Sequence, residues 1–190
     1  MLERKLKHGR RKHILFIFVL ILVAGCGEQT KKAANSSMES LSSESQDVDS
    51  ISYVFLDYKS EWQWIFQDGT PTNISERELV EIEEIIQKAV TENNEQQRKY
   101  LNERNKKYPE NQRSKTGFEI KTEGYKRQYV AVLNNRGQKE VWINFFCDDW
   151  GNDDWKSDIM IVDDGGNCYF SLKVNLATKK YYELYINGYA

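Results

Sequence analysis

The sequence predicts an α+β domain in which one long helix packs on an antiparallel β-meander of four or five strands. Residues 75–90 repeat apolar side chains at helical spacing, whereas residues 125–186 contain segments that alternate apolar and polar side chains as strands do. A polar segment that contains Pro109 separates the two patterns. A group of strands that follows a single helix is typical of the α+β class rather than of an alternating α/β sheet.

A capping box marks the start of the predicted helix. Ser75 is a favourable N-cap, and Glu78 stands three residues later, where its side chain can bond back to the N-cap backbone. One apolar stripe then follows, formed by Leu79, Ile82, Ile86, Ala89 and Val90. The helix can continue past Leu101, although two asparagines weaken it after residue 92, and Pro109 has to end it.

Period-two segments predict four strands after the helix. They cover residues 125–133, 139–147, 168–176 and 181–186. An aromatic segment ahead of the helix, residues 61–67, alternates in the same way. Its Trp62, Trp64 and Phe66 lie two residues apart, which predicts a further strand whose aromatic side belongs to the core.

The apolar residues of two strands also predict their register. An antiparallel pair that sets Val141 opposite Val174 keeps both apolar sides on one face, and a slip of one residue would turn that face to water. The same register places Cys147 opposite Cys168 on the core face, within reach of a disulfide. Two thiols outside the cytoplasm are usually oxidised, and two buried free thiols are the alternative.

The first 26 residues have the composition of a secretory signal. Six basic residues precede the apolar run 14–23, which is shorter than the roughly 20 residues of a membrane span. The run leads into Leu22-Val23-Ala24-Gly25-Cys26, which resembles the lipobox of bacterial lipoproteins. This resemblance implies lipid transfer to the Cys26 thiol, cleavage after Gly25 and acylation of the new amine. A signal-anchor helix with an incidental cysteine is the alternative.

The predicted domain organisation follows from this signal. Residues 1–25 form the signal peptide, and residues 26–50 form the lipidated cysteine and a Ser-rich tether, which is too polar to fold by itself. Residues 51–190 form the single α+β domain. Because the signal is secretory, we expect this domain, which we call the body, to lie outside the cytoplasm. Two or three acyl chains give a stable anchor, so we expect the body to be held on a membrane of the bacterial cell envelope.

Processing also changes the charge and removes every histidine. Cleavage removes six of the 27 Lys and Arg residues and one of the 29 Asp and Glu residues. The mature chain keeps 21 basic and 28 acidic residues, so its net charge is −7. A mature chain with this net charge is not expected to bind nucleic acid or to be attracted electrostatically to an anionic membrane surface. The loss of His8 and His13 excludes Ser-His-Asp catalysis and histidine-ligated zinc.

The segment 148–158 is the richest candidate for a ligand site. Its candidate residues are Asp148, Asp149, Trp150, Asp153, Asp154 and Trp155. Its carboxylates are calcium ligands by type, although the spacing is not that of an EF-hand. Exposed tryptophans beside aspartates could instead hold a sugar, and two aspartates could act as acid and base in glycoside cleavage. The remaining interpretation is a solvated acidic loop whose tryptophans pack on the sheet edge.

Other segments resemble a family of uncharacterised bacterial secreted and lipid-anchored proteins, over roughly residues 53–190. They are IEEII (82–86), YKRQYV (125–130), EVWIN (140–144), DGGNCYF (164–170) and NGYA (187–190). The family brings no activity and no functional residue with it. The helix on a meander also resembles the cystatin-like and nuclear-transport-factor-like rolls, a likeness that concerns the fold alone.

Two functional hypotheses follow from these patterns. The first is a lipid-anchored, non-catalytic binding module of the envelope, which presents a sheet face or loop to a protein partner. The second is a glycan-binding or glycan-hydrolysing envelope protein that uses residues 148–158. Neither requires a cofactor beyond the lipid on Cys26, with calcium as an alternative for the acidic loop.

Overall fold

The computed structural model describes residues 52–189, which form a sheet of six strands with one long helix against one face. The elements are β1 (Tyr53–Leu56), β2 (Thr70–Pro71), α1 (Glu76–Lys107), β3 (Lys126–Leu133), β4 (Lys139–Phe146), β5 (Tyr169–Asn175) and β6 (Lys180–Ile186). The predicted α+β class is confirmed. The predicted signal, the lipobox with Cys26 and the whole of the tether lie outside the described residues.

Helix α1 begins at the predicted capping box. The backbone N–H of Glu78 donates to the Ser75 hydroxyl, and the backbone N–H of Ser75 donates to the Glu78 carboxylate over 2.8 Å. The helix runs for 32 residues and ends just before Pro109. Asn94 does not interrupt it, because its side chain bonds both the N–H and the C=O of Ile120 on the returning chain. Within residues 52–189, no helix has the length and apolar character that crossing a membrane requires.

The sheet has the order β1-β3-β4-β5-β6, and β2 pairs with the end of β3. The strands from β3 to β6 are antiparallel neighbours, as the meander predicts. The register predicted for β4 and β5 is confirmed, with Val141 opposite Val174 and Phe145 opposite Phe170. Strand β1 differs from the meander because it pairs with β3 in parallel.

The strand predicted over residues 61–67 is wrong. A single turn of 3-10 helix covers Ser60–Trp62, and further turns follow it. Trp62 and Phe66 are buried together with Ile65, whereas the Trp64 side chain is 57% exposed. The buried positions 62, 65 and 66 have the spacing of a turn, so the alternation of aromatic residues was misleading.

The two faces of the sheet are covered differently. The face toward α1 carries the main core, formed by Ile82, Ile86, Tyr129, Ile143, Phe145, Leu172 and other apolar residues. On the opposite face, residues 56–66 cover one part of β3 and β4, and residues 155–162 cover another. The two coverings leave a strip of β4, β5 and β6 open, and this strip positions the candidate site.

Candidate functional site

The acidic loop, residues 148–158, does not bring its two tryptophans together. Trp155 is 3% exposed and meets the ring of Phe146 edge-on, with 5.4 Å between the ring centroids. Trp150 is 61% exposed and stacks on Tyr169 over 6.0 Å. Trp155 is therefore a core residue, and Trp150 is the only tryptophan of this loop that a ligand could reach.

The loop carboxylates have local partners. Asp148 and Asp149 accept backbone N–H bonds from Trp150 and Gly151, and Asp149 also pairs with Lys126. The hydrogen bond from Lys126 lowers the pKa of Asp149 below its usual value. Asp153 pairs with Lys156 over 2.7 Å, and no ion pair joins Asp154 to another of the described residues. Nowhere in residues 52–189 do three metal-ligating side chains of His, Cys, Asp or Glu cluster closely enough to hold an ion.

The cysteines lie opposite each other, as the register predicts. Their Cα atoms are 5.1 Å apart, their sulfur atoms are at disulfide distance, and the Cys147 N–H donates to the Cys168 carbonyl. Cys147 is exposed and Cys168 is half-buried. The predicted core position is therefore wrong, because the pair lies just past Phe146, where the covered part of β4 ends.

An aromatic cleft lies on the open strip of the sheet. We use this name for the space whose floor is Trp142 and Ser171 and whose walls are Trp64 and Tyr185. Strand pairing builds the floor, because Ser171 of β5 lies directly opposite Tyr185 of β6. The larger lobe has a volume of about 420 Å³ and the smaller lobe about 120 Å³. The larger volume is in the range of small-molecule sites.

The aromatic walls are presented to solvent. Trp64 is 57% exposed and Tyr185 is 62% exposed, although both belong to residue types that usually bury their rings. The ring of Trp64 meets Trp142 in a T-shaped arrangement with 5.7 Å between centroids, which fixes its position without covering it. An exposed ring that a buried ring holds in place, as Trp142 holds Trp64, is suited to stacking against a ligand.

Polar groups line the larger lobe together with the two walls. The Lys173 ammonium lies 2.6 Å from the Glu183 carboxylate and 5.2 Å from the centre of the Phe66 ring. Among the described residues, no side chain bonds the hydroxyl of Ser171, so this group is open to a ligand. The cleft therefore offers a hydroxyl, a cation and an anion beside two aromatic surfaces.

A bulge in β6 places Glu183 at the cleft. The register of β5 and β6 shifts between Ser171 and Lys173, and Glu183 adopts a φ of 49°. This is the left-handed region, which costs a non-glycine residue free energy and often marks functional positions. Bulges turn a side chain toward a site that a regular strand would not serve.

Sequence patterns identified only part of this cleft. The period-two alternation of residues 168–176 puts Ser171 and Lys173 on the polar side of their strand, and the spacing of residues 61–67 predicts a core position for Trp64. Tyr185 carried no signal beyond strand alternation. The cleft forms because two separate loops stop short of each other over the sheet, a tertiary arrangement that no local pattern records.

No protein-family model, no curated protein and no solved structure matches the chain. The resemblance of residues 53–190 to lipid-anchored proteins therefore stays a prediction, and so does the lipobox. Because a fold alone does not define a function, the function has to be inferred from the chemistry of the cleft.

Proposed function

We propose that this protein is a lipid-anchored protein of the bacterial cell envelope that binds a glycan in its aromatic cleft without cleaving it. The observation that carries the proposal is the pair of exposed aromatic walls, Trp64 and Tyr185, which line one cleft together with polar groups. The sequence pattern that ends at Cys26 supports the anchor and the location.

The chemistry of the cleft favours a carbohydrate over an apolar peptide. The C–H groups of a sugar ring carry a slight positive charge and pack well against the negative face of an aromatic ring. The sugar hydroxyls at the ring edge would meet Ser171, Lys173 and Glu183. An apolar peptide would take the Ser171 hydroxyl and the Lys173–Glu183 pair out of water without bonding to them, which costs binding free energy.

A binding role without turnover is supported by the carboxylates of the cleft. Most glycosidases need two carboxyl groups flanking the bond to be cleaved. Among the described residues that line the cleft, Glu183 is the single carboxylate, and it is paired with Lys173. The acidic loop holds more carboxylates but offers one accessible tryptophan and no facing aromatic wall.

Substitution of Trp64 by alanine is expected to weaken glycan binding at least tenfold, as is usual for a central aromatic contact. The measurement is calorimetric titration with soluble peptidoglycan strands, together with a reducing-end assay for cleavage. Trp150→Ala is the matched control, because Trp150 is equally exposed but lies in the acidic loop.

The opposite pattern would favour the acidic loop. If Trp150→Ala or the pair Asp153→Asn with Asp154→Asn abolishes binding while Trp64→Ala does not, the cleft is not the site. Release of reducing ends would contradict a role without turnover. A chain that ignores glycans but crosslinks to one stoichiometric protein through the cleft would replace the glycan with a protein ligand.

The anchor is tested separately through Cys26. The Cys26→Ser chain is expected to stay uncleaved and unlipidated, because serine lacks the thiol that accepts the lipid. Metabolic labelling with a fatty acid and the mass of the mature chain measure this directly. A Cys26→Ser chain that is still processed and labelled would refute the anchor.

A further inference from the structure

Residues 98–115, which we call the basic tip, differ in charge from the rest of the body. They contain seven Lys or Arg residues and two glutamates, a net charge of +5. The chain after residue 25 carries −7 in total, so the remainder carries −12. The net charge that argued against an anionic membrane surface therefore hides two regions of opposite sign.

The cations of the basic tip are not paired with any carboxylate that the structure describes. Within residues 52–189, none of its seven basic side chains lies within 4.0 Å of a carboxylate. Most other cations of the body are paired, including Lys126, Arg127, Lys139 and Lys173. Unpaired cations concentrated at one place make a positive field that a partner can use.

The basic tip projects from one end of the sheet. No side chain of α1 after Ala89 is buried, and from residue 95 onward the helix bonds only the returning chain, through Gln97, Arg104 and Asn105. At 1.5 Å for each residue, α1 extends about 20 Å past Asn94. Asn94 itself bonds Ile120, shortly before β3 begins.

The chain enters the sheet at the same end. Strand β1 is parallel to β3, and the Ser52 carbonyl accepts the N–H of Arg127, the second residue of β3. The segment that precedes Ser52 in the sequence leads back to Cys26. The basic tip and the entry point of the tether therefore share one end of the body.

Two exposed tyrosines accompany the cations. Tyr100 and Tyr108 are both exposed, and Lys107 lies 5.4 Å from the centre of the Tyr108 ring. Tyrosine is enriched where a protein meets the headgroup level of a bilayer, because its ring is apolar and its hydroxyl is polar. A soluble polyanion would bind to the cations alone and would not need the two exposed tyrosines.

We propose that the basic tip docks on anionic phospholipid headgroups of the membrane that holds the anchor, and so orients the cleft away from the bilayer. The proposal rests on the lipid anchor of the proposed function. The acidic remainder of the body does not prevent docking, because salt screens charges over about 8–10 Å and the basic tip extends farther than that.

The test is trypsin cleavage after Arg113, an exposed site of the basic tip, in the full chain bound to vesicles. We expect cleavage to be about tenfold slower on phosphatidylglycerol-containing vesicles than on phosphatidylcholine alone, and high salt should remove the difference. Changing Lys99, Lys106 and Lys107 to Gln should remove the protection, because each lost cation is expected to weaken binding to the anionic membrane about fivefold.

The matched control changes Arg136, Lys179 and Lys180 to Gln, three exposed cations in or next to the hairpin turns at the opposite end of the sheet. It should keep the protection. Equal cleavage on both vesicles would overturn the proposal, and so would protection by soluble polyphosphate but not by vesicles. If the chain fails to float with phosphatidylcholine vesicles, only the lipid anchor is contradicted. Whether the basic tip docks is still decided by the protection of Arg113 on phosphatidylglycerol-containing vesicles.

Discussion

Replacing Glu83 with alanine is expected to destabilise the body by about 3 kcal/mol, because it leaves a buried guanidinium without its counter-charge. Arg127 is 1% exposed and donates to the Glu83 carboxylate from its Nη1 atom. The same carboxylate accepts the hydroxyl of Tyr129 over 3.0 Å. One glutamate of α1 therefore serves two buried groups of β3.

The surroundings of Arg127 explain why the loss is large. Its guanidinium lies over the Phe145 ring, with 5.0 Å to the ring centre, and among the described residues its Nε has no partner. Burial and the nearby Glu83 raise the pKa of Tyr129, so its hydroxyl stays protonated and continues to donate. Without Glu83, the Tyr129 hydroxyl loses its acceptor, and the Arg127 guanidinium keeps only that neutral hydroxyl, 3.3 Å from its Nη1 atom, among the described residues.

Urea unfolding followed by circular dichroism measures this effect. Glu84→Ala is the matched control, because Glu84 is the next residue of α1, is exposed and forms no ion pair with any residue between 52 and 189. It is expected to change the free energy of unfolding by less than about 0.5 kcal/mol. Adding Arg127→Met to Glu83→Ala should recover part of the loss. Equal costs for Glu83→Ala and Glu84→Ala would show that Arg127 does not depend on this pair.

Removing the Cys147–Cys168 link is expected to cost about 3 kcal/mol, or roughly 10 °C in melting temperature. The two residues are 21 positions apart, and the link restricts the unfolded chain over that loop. The loop contains Met160, Ile161 and Val162, which line the smaller lobe of the cleft. The loss of the link should therefore loosen one wall of the cleft as well.

The measurement compares the wild-type chain with Cys147→Ser/Cys168→Ser, each with and without reductant. Reductant should lower the melting temperature of the wild-type chain to that of the double variant and leave the double variant unchanged. Thiol titration of the unfolded, unreduced chain should find neither cysteine free. Two free thiols would refute the disulfide and leave the alternative of an unlinked pair.

The parts of the fold that could be predicted are those with local or pairwise signals. The capping box at Ser75 and Glu78 depends on residues three positions apart, and the register of β4 and β5 follows from matching two apolar patterns. The parallel pairing of β1 had no such signal. Because its partner β3 lies about 70 residues later in the chain, only the assembled sheet shows that the two strands meet.

The candidate site was less predictable, for a physical reason. The acidic loop attracted attention through composition, yet its aspartates are used in local turns and ion pairs, and Trp155 is core. The spacing of Trp64 within residues 61–67 predicts a core position that the structure does not have. Whether an aromatic ring is buried or presented depends on what covers it, and the covering loops are set by tertiary packing.

The bulge at Glu183 also affects how the protein behaves beside copies of itself. Strand β6 is the last strand of the sheet, and a regular edge strand offers a continuous row of amide and carbonyl groups to another chain. Here that row is interrupted by Glu183, a charged residue whose backbone is in the left-handed conformation. The distortion that serves the cleft therefore also disfavours edge-to-edge aggregation at high local concentration.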